Sequence, residues 1–179
     1  QKNKTWFNRI IQKIFPDKEY LTYVNVQERK LTDQLIKKKL QDLLLRGKDD
    51  LFKAVQYYFK NGYKEKAEFG DSICNELDLF RNSIKNSEYG FHPKSQTLTE
   101  DLKEDYLEIV KADALMIYYA DEISKTTRDL QLRAISGDLI QPEEMRILEY
   151  LNSLKDIFQK RKDYVSGISQ ILEIKEPKK

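Results

Sequence analysis

Between Leu102 and Ala134 the apolar residues keep a helical repeat without interruption: Leu102, Tyr106, Ile109, Met116, Ala120, Ile123, Thr127, Leu130 and Ala134 fall on one face. A strand alternates faces every second residue, so a run of this period and length fits a long amphipathic helix. The spacing predicts a helix near 98–136, reaching roughly 57 Å at 1.5 Å per residue. Ser136-Gly137-Asp138 ends it, and Pro142 with Glu143 and Glu144 supplies the first-position proline and first-turn acids of a further helix. Leu148, Leu151, Leu154, Phe158, Val165, Ile168 and Leu172 make the stripe of that last helix.

The same period runs through the first half of the chain. Pro16 and Asp17 read as a helix stop followed by an N-cap, so a helix is expected from near Lys18 to about Arg46. Leu31, Leu35, Leu40, Leu43 and Leu44 mark its buried stripe, with Gly47 as the left-handed residue just past its end. Asp49 and Asp50 then open a helix carrying Phe52, Val55 and Phe59, and later Phe69, Ile73, Leu77, Phe80 and Ile84. Asn61-Gly62 predicts a kink or a brief interruption in it, because glycine inside a helix costs about 1 kcal/mol relative to alanine. Residues 87–97, with Gly90 and Pro93, read as a loop, and Thr97 or Thr99 caps the helix beyond it.

Short connections between long amphipathic helices make neighbours antiparallel. The expected class is therefore all-α: an up-and-down bundle of three or four long antiparallel helices over 17–172, a short amphipathic helix at 1–16 and a charged tail at 173–179. Six Gly and four Pro among 179 residues, with 35% charged residues, agree with a helical protein. The longest apolar runs, such as Leu43 to Leu45, fall far short of the roughly twenty residues a spanning helix needs. A formal net charge of +2, with acids and bases evenly mixed, argues against a nucleic-acid surface. The lone cysteine, Cys74, forms no internal disulfide and reads as a buried thiol suited to the cytosol.

Residues 1–16 stand apart. Trp6, Phe7, Ile10, Ile11, Ile14 and Phe15 gather on one side of a helix, while Lys2, Lys4, Arg9 and Lys13 make the other side basic. No small-residue cleavage site comes after them, so the segment does not read as a secretory signal. A cationic helix with a Trp-Phe face suits a lipid headgroup layer or another protein's groove; packing back onto the bundle is the equal alternative.

Conventional catalytic constellations are missing from the sequence. The one histidine, His92, lies in the Gly90–Pro93 loop and has no partner for a triad or for a paired Glu-x-x-His site. Carboxylates remain. Asp105, Asp113 and Asp121 are eight residues apart, a drift of about 80° per step, so neighbouring pairs share a side. Asp113 falls between Ile109 and Met116 on the face expected to be buried, where an isolated charge is costly. It meets a metal there, or it pairs with a Lys, Arg or Tyr hydroxyl inside the bundle or sits at the stripe's edge in water, and the metal is the less favoured reading. Glu76 and Asp78 could face the same space, and Asp101 with Asp105 forms an i,i+4 pair able to hold a hard cation, although first-turn acids also answer the helix dipole.

Several stretches resemble the PhoU-like phosphate-transport regulators, in particular the short single-domain kind that accompanies Pit-type phosphate transporters. Ile14-Phe15-Pro16-Asp17-Lys18 is similar to the start of those proteins, and Phe59 to Ala67 to their glycine-to-alanine turn. Asn75-Glu76-Leu77-Asp78-Leu79-Phe80-Arg81-Asn82-Ser83-Ile84 resembles their E-x-D-x-x-[KR]-x-x-I segment, and Asp105, Asp113 and Asp121 fall close to the acidic positions of the next helix. The resemblance implies a helical bundle that holds metal through Glu76, Asp78, Asp105, Asp113 and Asp121, a divalent ion or an iron or zinc site, and docks on a membrane transporter. Cys74 stands where an acid would precede Asp78 by four, and Ile117 where a second aspartate would come after Asp113.

The reading that results is a non-enzymatic regulatory or accessory protein, cytoplasmic and peripheral to the inner face of the membrane. It contacts a membrane transporter or the membrane surface through Trp6, Phe7, Ile10, Ile11, Ile14, Lys4, Arg9 and Lys13, with self-association open and no nucleic-acid partner. The alternatives are a membrane-associated scaffold or filament-forming helical protein and, third, a metal-carboxylate enzyme.

Overall fold

The computed structural model describes residues 6, 9–13, 15, 23, 26–90, 103–137, 143–167, 172–174 and 177. These form an all-α bundle with no strand among the described residues. Its long helices are α1 (Val26–Lys60), α2 (Lys64–Lys85), α3 (Lys103–Ser136) and α4 (Glu143–Val165). Residues 9–13 are also helical, and the Phe15 N–H donates to the Ile11 carbonyl at 2.8 Å.

α1 differs from expectation at both ends and in its middle. It begins at Val26, with Tyr23 in a bend before it, and it passes straight through Gly47. A Cβ on Gly47 would stand 3.2 Å from Ile123 Cγ2 and 3.5 Å from Thr127 Oγ1. The glycine is there because α3 approaches closely, not because the chain turns left-handed. The true stop is Asn61-Gly62. Gly62 has φ +80°, its N–H donates to the Phe59 carbonyl at 3.3 Å, and the Tyr63 N–H reaches back to the Tyr58 carbonyl at 2.9 Å. That pair of bonds is a Schellman motif, so the kink-or-interruption is an interruption. Gly137, at φ +79°, closes α3 where expected.

The chain divides into two compact units: residues 1–38, 87–118 and 156–179 in one, and 39–86 with 119–155 in the other. In the first, Tyr23, Tyr106, Ile109 and Val165 form a buried cluster with Tyr89, Val110 and Tyr164 packed against it. Residues 112–117 of α3 are all buried, so this stretch is enclosed on every side. In the second unit, α2 runs against α1 in the opposite sense, Lys48 meeting Asp78 while Gly70 meets Val55. α3 and α4 are likewise antiparallel there, Arg133 pairing with Glu143 and Tyr119 lying by Tyr150. This is the alternation expected of an up-and-down bundle.

Part of the expected apolar stripe faces solvent. Leu31, Phe52, Phe59 and Phe69 are exposed, at 51%, 44%, 55% and 38%. The buried face of α1 keeps the expected Leu40, Leu43 and Leu44 and adds Arg29, Thr32, Asp33 and Ile36. Charged groups occupy that face because they are paired inside the fold, an arrangement a stripe of large apolar residues does not reveal.

Candidate functional site

The polar centre of the first unit is built by four segments. Tyr23 comes from the bend before α1, Arg29 and Asp33 from the first turns of α1, Tyr106 and Asp113 from α3, and Arg161 from α4. All six side chains are buried. Asp33 follows Arg29 by four and Ile36 follows Asp33 by three, so the helical period brings them to one face. Arg161 lies three residues after Phe158 and four before Val165, on the buried stripe of α4.

Arg161 is the hub. Its Nε donates to Asp113 Oδ1 at 2.6 Å, Nη1 to Asp33 Oδ1 at 3.0 Å and Nη2 to the Tyr23 hydroxyl at 2.9 Å. The Tyr23 hydroxyl in turn donates to Asp113 Oδ2. The second Asp33 oxygen takes Lys37 Nζ at 2.8 Å, and the same ammonium donates to the Glu88 carbonyl at 2.8 Å. Arg29 donates through Nε to the Tyr23 carbonyl and through Nη2 to the Tyr106 hydroxyl at 2.6 Å, with its guanidinium 5.2 Å from the Tyr106 ring centre. The Tyr23 and Tyr106 rings stack 6.4 Å apart at 7°.

Burial pushes the Asp113 carboxyl up, against the Arg161 charge and the Tyr23 hydrogen bond, which hold it down. Burial likewise sends the Tyr23 phenol well up, helped by the adjacent Asp113 charge. For Arg161 burial works to lower the pKa, but the Asp113 and Asp33 carboxylates outweigh it and keep the guanidinium protonated. Within this network the oxygens of Asp113 and Asp33 already hold protein donors. Its chemistry is that of a clasp: three cations and two carboxylates tie the residue-23 bend to α1, α3 and α4 in one geometry.

The expected acids are not brought together. Asp113 finds Arg and Tyr partners, as favoured for a carboxylate on a buried face. Glu76 is exposed and takes Lys155 at 2.6 Å, which lowers its pKa. Asp78 pairs with Lys48 and lies 3.5 Å from Arg81, while Asp121 takes Lys125 at 2.8 Å. Asp105 has a helical backbone, but its side chain is outside the described residues, as are His92 and Asp101. Among the described residues no group of three His, Cys, Asp or Glu side chains is placed to hold a metal ion. The reason is geometric: Glu76, Asp78, Asp113 and Asp121 each sit within reach of their own cation.

Of the basic arm, Arg9 and Lys13 are exposed and Trp6, Ile10 and Ile11 are half-buried. The Trp6 ring lies 6.1 Å from that of Tyr118, tilted at 57°. Lys4, Phe7 and Ile14 are outside the described residues. No described helix is long and apolar enough to cross a membrane. Cys74 is the buried thiol expected, and burial beside Asp71 pushes it up to about 11.

Sequence reasoning missed Arg161, Arg29 and Asp33. Arg161 carried a signal, since it interrupts the Phe158–Val165 stripe at a position that must be buried. In the second unit an open cleft of about 550 Å³ lies between α1 and α3, lined by Arg46, Asp49, Asp50, Lys53, Ser124, Arg128, Gln131 and Leu132. Comparison with protein-family models, with curated proteins and with solved structures finds nothing that matches this chain.

Proposed function

We propose that this protein is a non-enzymatic regulatory or accessory protein that docks through its basic N-terminal segment on a membrane surface or a membrane transporter, at the inner face of the membrane. The observation that carries the reading is the arm itself: Arg9 and Lys13 stand exposed beside Trp6, Ile10 and Ile11, whose apolar side chains are only half-buried. A cationic helix that keeps apolar surface accessible gains both from burial at the headgroup boundary and from attraction to anionic lipid. The ion pairs at Glu76, Asp78, Asp113 and Asp121 support a binding role over a catalytic one, because each acid has its charge satisfied within the protein. A role in inorganic phosphate transport rests on the PhoU-like resemblance alone.

Flotation with vesicles tests the docking. The full chain is expected to float with phosphatidylglycerol-containing vesicles, less with purely zwitterionic ones, and less again after Arg9→Glu with Lys13→Glu. Trp6 is the only tryptophan, so its emission shifts to the blue on binding. Equal flotation of the full chain and of a chain lacking residues 1–16 overturns the membrane contact. Co-purification from native membranes then reads out whether a transporter is held.

A further inference from the structure

In the second unit Lys66 meets Glu144 and Glu76 meets Lys155, so α2 and α4 run in one sense and α1 and α3 together in the other. Gly47 of α1 lies against Ile123 and Ser124 of α3, and above this contact the two helices wall the open cleft of about 550 Å³. Arg46, Asp50 and Lys53 are spaced by four and three residues on one wall, and Ser124, Arg128 and Gln131 by four and three on the other. Equal spacing on helices that run together keeps the walls in step. Arg46 stands about level with Ser124, Asp50 with Arg128 and Lys53 with Gln131. Arg46 and Arg128 are therefore diagonal across the cleft, one helical turn or about 6 Å apart along it.

Both arginines are exposed, and among the described residues neither guanidinium makes an ion pair or a hydrogen bond. Asp50 meets Lys53 of its own helix, at 3.7 Å, and not Arg128 across the cleft. We propose that this cleft binds a small phosphate ester carrying hydroxyl groups, of the sugar-phosphate class. One guanidinium fork already satisfies both oxygens of a carboxylate, whereas a phosphate presents three oxygens that two forks from opposite walls can share. Ser124 brings a hydroxyl donor to the same end. Further along, the Asp50 carboxylate and the Gln131 amide offer acceptors to hydroxyl groups, with Asp49 beside them. These acids repel a bare anion and so favour a ligand whose far end donates. The space agrees, since sites for small organic molecules run from about 300 to 1,000 Å³.

This inference is independent of the membrane reading, and its test needs no lipid. Calorimetric titration of the full chain with ribose 5-phosphate, glucose 6-phosphate and glycerol 3-phosphate is expected to show saturable one-to-one binding of at least one of them. Inorganic phosphate is expected to bind at least about tenfold more weakly than that ester, and ribose or glucose alone not to bind. Arg46→Ala and Arg128→Ala are each expected to weaken the ester about tenfold or more with helix content unchanged, because both side chains stand in solvent. Asp49→Asn with Asp50→Asn is expected to narrow the gap between ester and inorganic phosphate, since the carboxylates both receive the hydroxyls and repel the bare anion. The proposal is overturned if none of the three esters binds saturably up to about 10 mM. Ester binding that survives Arg46→Ala with Arg128→Ala, or inorganic phosphate that binds the wild-type chain as tightly as the ester, overturns it too.

Discussion

Arg161 on α4 and Asp113 on α3 meet through the guanidinium Nε at 2.6 Å, with both side chains closed off from water. Removing one member of such a pair leaves the other charged and buried, which costs about 3–5 kcal/mol. Arg161→Met is expected to be the costlier of the two deletions, since it takes the guanidinium from both Asp113 and Asp33 and leaves Asp113 only the Tyr23 hydroxyl, whereas Asp113→Asn leaves Arg161 its bonds to Asp33 and Tyr23. The double variant is expected to be less destabilised than the sum of the singles, because the second change removes a stranded charge. Urea unfolding of the three variants checks the order; additive losses would show that the pair is not coupled.

Gly70 lies inside α2 where α1 presses on it. A Cβ there would stand 2.6 Å from Val55 Cγ2. Gly70→Ala is expected to destabilise by about 1–3 kcal/mol despite alanine's better helix propensity, because overpacking outweighs it. Adding Val55→Ala makes room and is expected to recover part of the loss in thermal unfolding.

Stability is expected to fall in alkali through two buried neutral groups. Burial, with Asp71 beside it, raises the Cys74 thiol from 9.0 to about 11, and burial with Glu144 and Glu143 raises the Tyr58 phenol from 10.0 to about 12. The unfolded chain loses these protons first, so their contribution is whole below about pH 9 and is lost as pH rises toward 11 and 12. Melting temperatures measured from pH 8 to 12 check this. Cys74→Ala with Tyr58→Phe is expected to flatten the decline relative to wild type.

Trp6 reports on its own environment in the absence of lipid. Its ring rests near Tyr118, so Tyr118→Ala is expected to expose the indole and shift its emission to the red. An unchanged spectrum would mean that the contact does not shield it.

The helical repeat and the scarcity of glycine and proline were enough to read an all-α bundle, the end of α3 at Gly137 and the break at Asn61-Gly62. Periodicity is a local property and carried over, as did the turn residues at these two positions, where no neighbouring helix presses on the glycine. Asp113 was also legible, because a carboxylate among Ile109, Met116 and Ile117 has to find a partner wherever the helix packs. The identity of that partner was not legible: Arg161 is 48 residues away in sequence, and no spacing rule connects them.

Tertiary packing decided the remainder. Gly47 reads locally as a helix stop, yet the approach of Ile123 makes it an interior residue of α1. Leu31 and Phe52 read as core, yet the face that turns inward carries Arg29 and Asp33. A helix has one period but a free rotation about its axis, and only its neighbours fix which side is buried. The sequence alone therefore determined that these segments are amphipathic helices, while contacts between them determined which charges went inside, which aromatics stayed out, and where the acids found their cations.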